Sequence, residues 1–301
     1  MVRSRHRETS SFDLNYKAIQ GNLILKNYQP DGDSVRFKAD DPEDFVDLYR
    51  YHRLPPDKRD KPVQLRLEAI DAPETHYGIY AQPKGDSARD FFLKTIGFTG
   101  IHYADDGKTV TESSPDALPA TILTKAFDPH GRPISYLFVG RASEELQEME
   151  AVSADTKVID KTINISLLRE GLAYPLLYTS APLLHRQHIR ELAKNVRTED
   201  RGIWPLDSSS MFKLENYSSI TSPNGSLIFP KLFRRAIDFF KAVDKGFTGD
   251  IIKWLIEMDE KENDHVLVDE RYELRLSDIL EQYNSRVVLK MDLLELVFIE
   301  R

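Results

Sequence analysis

The chain has 301 residues, 41% of them hydrophobic, no cysteine and a formal net charge of −8. That length supports one large domain or two ordinary ones; it holds no apolar run of about 18 residues that would span a membrane, and disulfides and thiolate-bound zinc are excluded. The acidic balance argues against a protein that coats nucleic acid through bulk positive charge, so a nucleic-acid site has to be a local basic cluster.

Residues 1–19 read as a flexible arm, rich in Arg, Ser and Thr up to residue 12 and without an apolar period there. They hold no apolar core of a secretory signal, which points to the cytoplasm, or to secretion if a leader has been removed. The runs NLILKNY and SVRFK are β runs around the turn PDGD. Asp41 and Pro42 suit the cap and first position of a short helix over 41–51, with Glu43 and Asp44 at its positive end. The stretch LPPDKRDKP returns the chain to the strand VQLRLEAID. There Leu65, Leu67 and Ala69 share one face and Gln64, Arg66 and Glu68 the other.

A helix is predicted from Pro83 to Gly97, and 103–119 and 141–160 read as polar loops. The runs ATILTKAF and ISYLFVG form a hairpin through DPHGRP. A short helix covers Ile163–Glu170. A longer one covers 182–197, with His185, Ile189, Leu192, Ala193 and Val196 on one stripe. Arg186, Arg190, Lys194 and Arg197 then form a solvated basic face suited to a nucleic-acid backbone. Near WPLDSSS the texture changes, and 1–210 is expected to fold without the rest. Residues 211–301 carry 13 basic and 17 acidic residues, half of the net charge. They read as a small α+β domain: an amphipathic helix through Leu232, Phe233, Ala236, Phe239, Phe240 and Val243, a second helix at DIIKWLIEM, paired strands in HVLVDERYELRL, a short helix at SDILEQY and strands in RVVLK and LLELVFIE.

Three places offer the parts of a phosphodiester-cleaving site: Asp31-Gly32-Asp33-Ser34 between two strands, Arg66 with Asp71 and Glu74 at a strand end, and Asp128-Pro129-His130-Gly131-Arg132 in a hairpin. A phosphodiester is anionic and repels a nucleophile. Its hydrolysis calls for positive charge on the phosphoryl oxygens and a base for water. An arginine fork matches two phosphate oxygens, and oxygen ligands suit Ca²⁺ or Mg²⁺.

The blocks DGDSV, RLEAIDAPE, DPHGRPISYLFV, INISLLREGLAY and a helix closing in GIW, in that order, resemble a staphylococcal-nuclease (thermonuclease-like) domain. The resemblance implies an α+β fold over 20–207, a five-stranded OB-fold β-barrel with packed helices, followed by the domain 211–301. It implies a calcium-dependent nuclease that hydrolyses DNA or RNA with water. By that resemblance Asp33, Asp71 and the backbone carbonyl of Ala72 are the metal ligands, Glu74 is the general base, and Arg66 and Arg132 clamp the phosphate. Ca²⁺ tolerates so irregular a ligand set better than Mg²⁺ does. Ser34 and Ala72 stand where the family has threonines. His130 takes the place of a tyrosine beside the substrate phosphate, and Tyr178 or Tyr174 stands for a later substrate-side tyrosine. The alternative is a catalytically inactive module that keeps the barrel and binds nucleic acid or protein. Expected partners are single-stranded DNA or RNA, and a protein partner or a second copy through 211–301, but no membrane.

Overall fold

The structure, a computed structural model, describes residues 14–141 and 151–300. Residues 1–13 of the arm expected at 1–19 and the centre of the loop expected at 141–160 lie outside the described residues. The chain forms two compact units of interleaved sequence: Ser10–Ile70 with Ser87–Leu167, and Asp71–Asp86 with Leu168–Arg301.

The first unit holds β1 (Asn15–Ile24), β2 (Arg36–Ala39), β3 (Val63–Gln64) and β4 (Arg66–Leu67). The chain leaves through β5 (Ile70–Asp71). It returns with the helix Gly85–Ile96 and then β6 (Thr99–Tyr103), β7 (Val110–Ser114), β8 (Ala117–Phe127), β9 (Pro133–Val139) and β10 (Val152–Ser153). The main sheet runs β3-β2-β1-β8-β9-β4. Its two ends are parts of one segment: Gln64 pairs antiparallel with Arg36, and Arg66 pairs parallel with Ile134. The segment 63–67 therefore joins both edges, and the sheet is a nearly closed, OB-like barrel. Closure spends the edge hydrogen bonds that an open sheet would expose. Ile19, Leu23, Phe37, Leu65, Leu67, Ile122 and Leu137 fill the core. Gly21 is required where β1 meets β2, since a Cβ there would lie 2.2 Å from the Lys38 carbonyl oxygen.

Three sequence expectations change. β1 begins at Asn15, inside the segment read as an arm, and its start pairs with β10. The loop expected at 103–119 carries β7, paired with β6, and the start of β8. Glu68, expected on the outer face with Arg66, is buried: the strand ends at Leu67, and Glu68 lies in the turn that continues through Ala69 at φ +66°. Its carboxylate accepts from the Tyr16 hydroxyl at 3.1 Å. Asn164 explains part of the block INISLLREGLAY. Its amide donates to the carbonyls of Glu68 and Ser135 at 3.0 Å each, and its oxygen accepts from the Leu137 amide at 3.0 Å.

The second unit is built on one apolar core. Tyr174 and Trp204 pack with Phe212, Phe229, Phe233, Trp254 and Phe298. Leu177–Tyr178 pairs in parallel with the late strand Leu296–Phe298, which pairs antiparallel with His265–Val268, itself paired with Tyr272–Arg275. A second sheet joins Met211–Lys213, Arg286–Leu289 and Leu280–Tyr283. Residues 280–283, expected in a helix, are thus a strand, and the helix there is the single turn Leu276–Ile279. Helices Leu183–Thr198, Pro230–Asp244 and Ile251–Met258 cover the sheets. The boundary expected at 207–211 falls inside this core.

Candidate active site

The first unit carries the arginines. The turn Asp31–Ser34 closes with the Asp31 amide on the Ser34 carbonyl at 3.0 Å, and the Asp33 carbonyl accepts from the Leu67 amide at 3.4 Å. Asp33 is half-buried. The loop between β8 and β9 is organised by Asp128, whose side chain is fully buried. One of its oxygens accepts the amides of His130 and Arg132 at 2.9 Å each. The other accepts Arg132 Nε at 2.7 Å and lies 3.8 Å from Arg66 Nη1. Gly131 makes the bend with φ +76°, and a Cβ there would meet the Arg53 carbonyl oxygen at 2.6 Å. The carboxylate fixes the direction of Arg132 by a hydrogen bond, stands at ion-pair range of Arg66 and leaves the trio with net charge +1, which suits an anion. Arg66 and Arg132 keep 25% and 31% of their side chains exposed. His130 is exposed at the loop tip.

The second unit carries the carboxylates. Asp71 ends β5, and Ala72 is buried beside it. Glu74 opens a loop that closes on itself. The Gln82 amide donates to the Glu74 carbonyl at 2.8 Å, and the Gln82 side-chain oxygen accepts the Glu74 amide at 3.2 Å. Both carboxylates hold a guanidinium. Arg234 Nη1 and Nη2 donate to the two oxygens of Asp71 at 3.1 and 2.8 Å, and Nη1 also donates to Glu74 Oε1. This is the two-point fork of an arginine–carboxylate pair, with a third acceptor. Burial works against the Arg234 charge, but Asp71 and Glu74 outweigh it and hold its pKa well above the ordinary value. Asp71 and Glu74 are 7% and 13% exposed at the side chain, so this pairing is little screened.

The donors expected to hold a metal ion therefore do not fit one in this arrangement. A divalent cation needs the same oxygens that face N–H groups here, and a guanidinium offers no lone pair to share. Among the described residues, no group of three or more His, Asp or Glu side chains stands together as a cation cluster.

Two expected positions have other partners. Tyr178 lies in the strand paired with Leu296–Phe298, and its hydroxyl accepts from Lys231 Nζ at 3.3 Å. Tyr174 is fully buried and donates to Asp207 at 2.9 Å. The basic face of Leu183–Thr198 is corrected as well. Arg186 and Arg190 bind Glu270, Lys194 binds Glu295, and Arg197 binds Asp292 with both terminal nitrogens. These bases are joined to carboxylates of the same unit, Arg186 and Arg190 largely out of water and Lys194 and Arg197 still exposed.

Sequence reasoning missed Asp128 and Arg234 as site residues. Asp128 had a signal, an aspartate two residues before His130 and four before Arg132, but it read as turn chemistry. Arg234 had none, since it lies 160 residues from Glu74.

Residues 64–205 match the family described as staphylococcal nuclease homologue. The match takes in Arg66, Asp71, Glu74 and Arg132 and ends before Arg234. No curated protein matches the chain.

Proposed function

We propose that this chain, which carries a domain of the staphylococcal nuclease family over residues 64–205, binds the phosphodiester backbone of single-stranded DNA or RNA and cleaves it by attack of water. The observation that carries the reading is the guanidinium pair held on buried Asp128. Two guanidiniums about one carboxylate supply positive charge to offset the negative charge that the phosphoryl oxygens gather as phosphorus becomes pentacoordinate. Arg66 and Arg132 are the proposed phosphate clamps, His130 a further phosphate contact, and Tyr178 a substrate-side group. Glu74 is the proposed base, a role worth about 10²–10⁴ in rate. Calcium is the proposed cofactor, through Asp33, Asp71 and the Ala72 carbonyl, for a state in which Arg234 no longer holds the carboxylates.

A second reading is a module that binds nucleic acid or protein without hydrolysis. The ion pairs of Asp71 and Glu74 with Arg234 favour it. The two separate on incubating the purified protein with labelled single-stranded DNA and RNA in Ca²⁺, Mg²⁺ or chelator. The nuclease reading expects cleavage that chelator stops and that Ca²⁺ supports better than Mg²⁺. It also expects Glu74→Gln to lower kcat by about a hundredfold or more while substrate still binds. Binding without cleavage in every metal and at every pH leaves the module.

A further inference from the structure

The placement of Arg234 is enforced by more than its own ion pairs. On the helix Pro230–Asp244, Leu232, Phe233, Ala236, Ile237, Phe239 and Phe240 are buried. Arg234, Asp238 and Lys241 follow one another at i, i+4 and i+7, which sets them on one stripe. That stripe meets the segment that begins at Asp71. The Tyr77 hydroxyl donates to Asp238 at 2.5 Å. Lys241 Nζ donates to Asp238 at 2.8 Å and lies 4.6 Å from the centre of the Tyr77 ring. Before the helix, Ile228 accepts from Gln82 Nε2 at 2.6 Å, and the same Gln82 accepts the Glu74 amide. Tyr80 stacks on Tyr217 with ring centres 4.4 Å apart, and the Ser222 amide donates to the Ala81 carbonyl at 2.8 Å. The loop that presents Glu74 and the helix that presents Arg234 are therefore fastened along their length. The guanidinium arrives at the carboxylates as the first rung of that ladder.

We infer that Asp71 and Glu74 form a guanidinium site filled by Arg234 of the same chain, and that a divalent cation gains the site only when Arg234 is displaced. Two carboxylates and one guanidinium carry net charge −1, against −2 for the pair alone. Both oxygens of Asp71 already face N–H groups. A cation of charge +2 would meet a fixed like charge at hydrogen-bond range and lose the oxygens it needs. Ca²⁺ takes six to eight oxygen ligands, so losing both from the more buried of the two carboxylates is decisive. The inference rests on the nuclease reading for its consequence: in a nuclease, Arg234 is a latch on the hydrolytic carboxylates.

The test is calorimetric titration of the full chain with CaCl₂, comparing wild type, Arg234→Gln and Arg234→Gln with Asp71→Asn, each checked for fold by circular dichroism. Arg234→Gln is expected to bind Ca²⁺ at least about tenfold more tightly than wild type, as a divalent ion replaces the lost charge, and Asp71→Asn to abolish the gain. Equal affinity in wild type and Arg234→Gln overturns the inference, and so does an Arg234→Gln protein that binds no Ca²⁺. Should Arg234→Gln fail to fold, wild type and Asp71→Asn decide. A closed site gives the two the same weak binding, whereas a calcium site that wild type fills and Asp71→Asn loses overturns the latch. Cleavage of a labelled single-stranded oligonucleotide is followed in parallel. A faster Arg234→Gln supports both readings. Tighter calcium binding with no cleavage in any variant supports the guanidinium site and overturns the nuclease.

Discussion

Asp128 touches four groups with two oxygens, and each contact directs an arginine or the backbone that leads to it. Asparagine in its place keeps one acceptor but turns an N–H toward Arg132 Nε. Two donors then face each other, and Arg132 swings away. On the nuclease reading, Asp128→Asn is expected to lower cleavage by about 10–100-fold, the loss that follows when a site residue is deprived of the partner that orients it. The measurement is kcat and KM on a labelled oligonucleotide, with circular dichroism to show that the barrel persists. A rate unchanged from wild type would remove Asp128 from the site. At this scale the sequence was legible where chemistry was local. Arg66 and Arg132 stand out because a strand end and a tight turn leave few uses for an arginine. Glu68 was misread because the period-2 rule assumes continuous extended backbone, and here the strand ends at Leu67 and gives way to a turn at Glu68 and Ala69. Arg234 belongs to neither a turn nor a strand end, and its partners are distant in sequence.

At the level of elements, amphipathic helices were visible as such, and their polar faces were not. The spacing of Leu232, Phe233, Ala236, Phe239, Phe240 and Val243 marks an apolar face; the first five are buried, and Val243, in the last turn, is exposed. The same helix turns Lys231 and Arg235 toward Asp264, at 2.8 and 2.9 Å, and Arg235 also binds Glu262 at 2.6 Å. Spacing shows that such residues share a side, but it cannot show whether water or a carboxylate lies opposite. Burial pushes the Asp264 pKa up, and Lys231 and Arg235 pull it further down, so it sits below its ordinary value of 3.8. A carboxyl with a depressed folded pKa contributes stability that is complete above its unfolded value and is lost as pH falls through the folded one. Asp264→Asn is therefore expected to cost about 3 kcal/mol at pH 7, since it takes the shared carboxylate from two largely buried cations, of which Arg235 keeps Glu262. That difference from wild type should shrink as the pH drops below 3.8. Urea melts of both proteins at pH 7 and in acid check it, and a difference that is the same at every pH would rule out the ion pair as its cause. The basic stripe on Leu183–Thr198 makes the same point, for it proved to be a seam with Glu270, Asp292 and Glu295.

Over the whole molecule, the family match ends at residue 205 while the core of the second unit does not. Tyr174 packs edge-on against both Trp204 and Phe229, with ring centres 5.3 and 5.7 Å away, and Leu177–Tyr178 needs Leu296–Phe298 as its partner strand. A protein cut after residue 210 is expected to keep a folded barrel unit but lose the cooperative unfolding of the rest and bind an apolar dye. Calorimetry of the truncated and full chains checks this, and a truncated protein with the full enthalpy per residue would refute it. The polar stretch DSSS misled because it resembles a linker. Its Ser209 is buried, with a hydroxyl that accepts the Phe229 amide at 2.7 Å. The interleaving of the two units also sets a timetable for the chain during its own synthesis. Asp71 and Glu74 leave the ribosome 160 or more residues ahead of the arginine that closes on them. At about 5–20 residues per second, the carboxylates wait roughly 8–30 seconds for Arg234. Their neighbours wait longer, because the strand Leu296–Phe298 follows Arg234 in the chain. The nascent protein thus has Arg66 and Arg132 long before its carboxylates are covered, and any cation that finds the growing chain meets those carboxylates first.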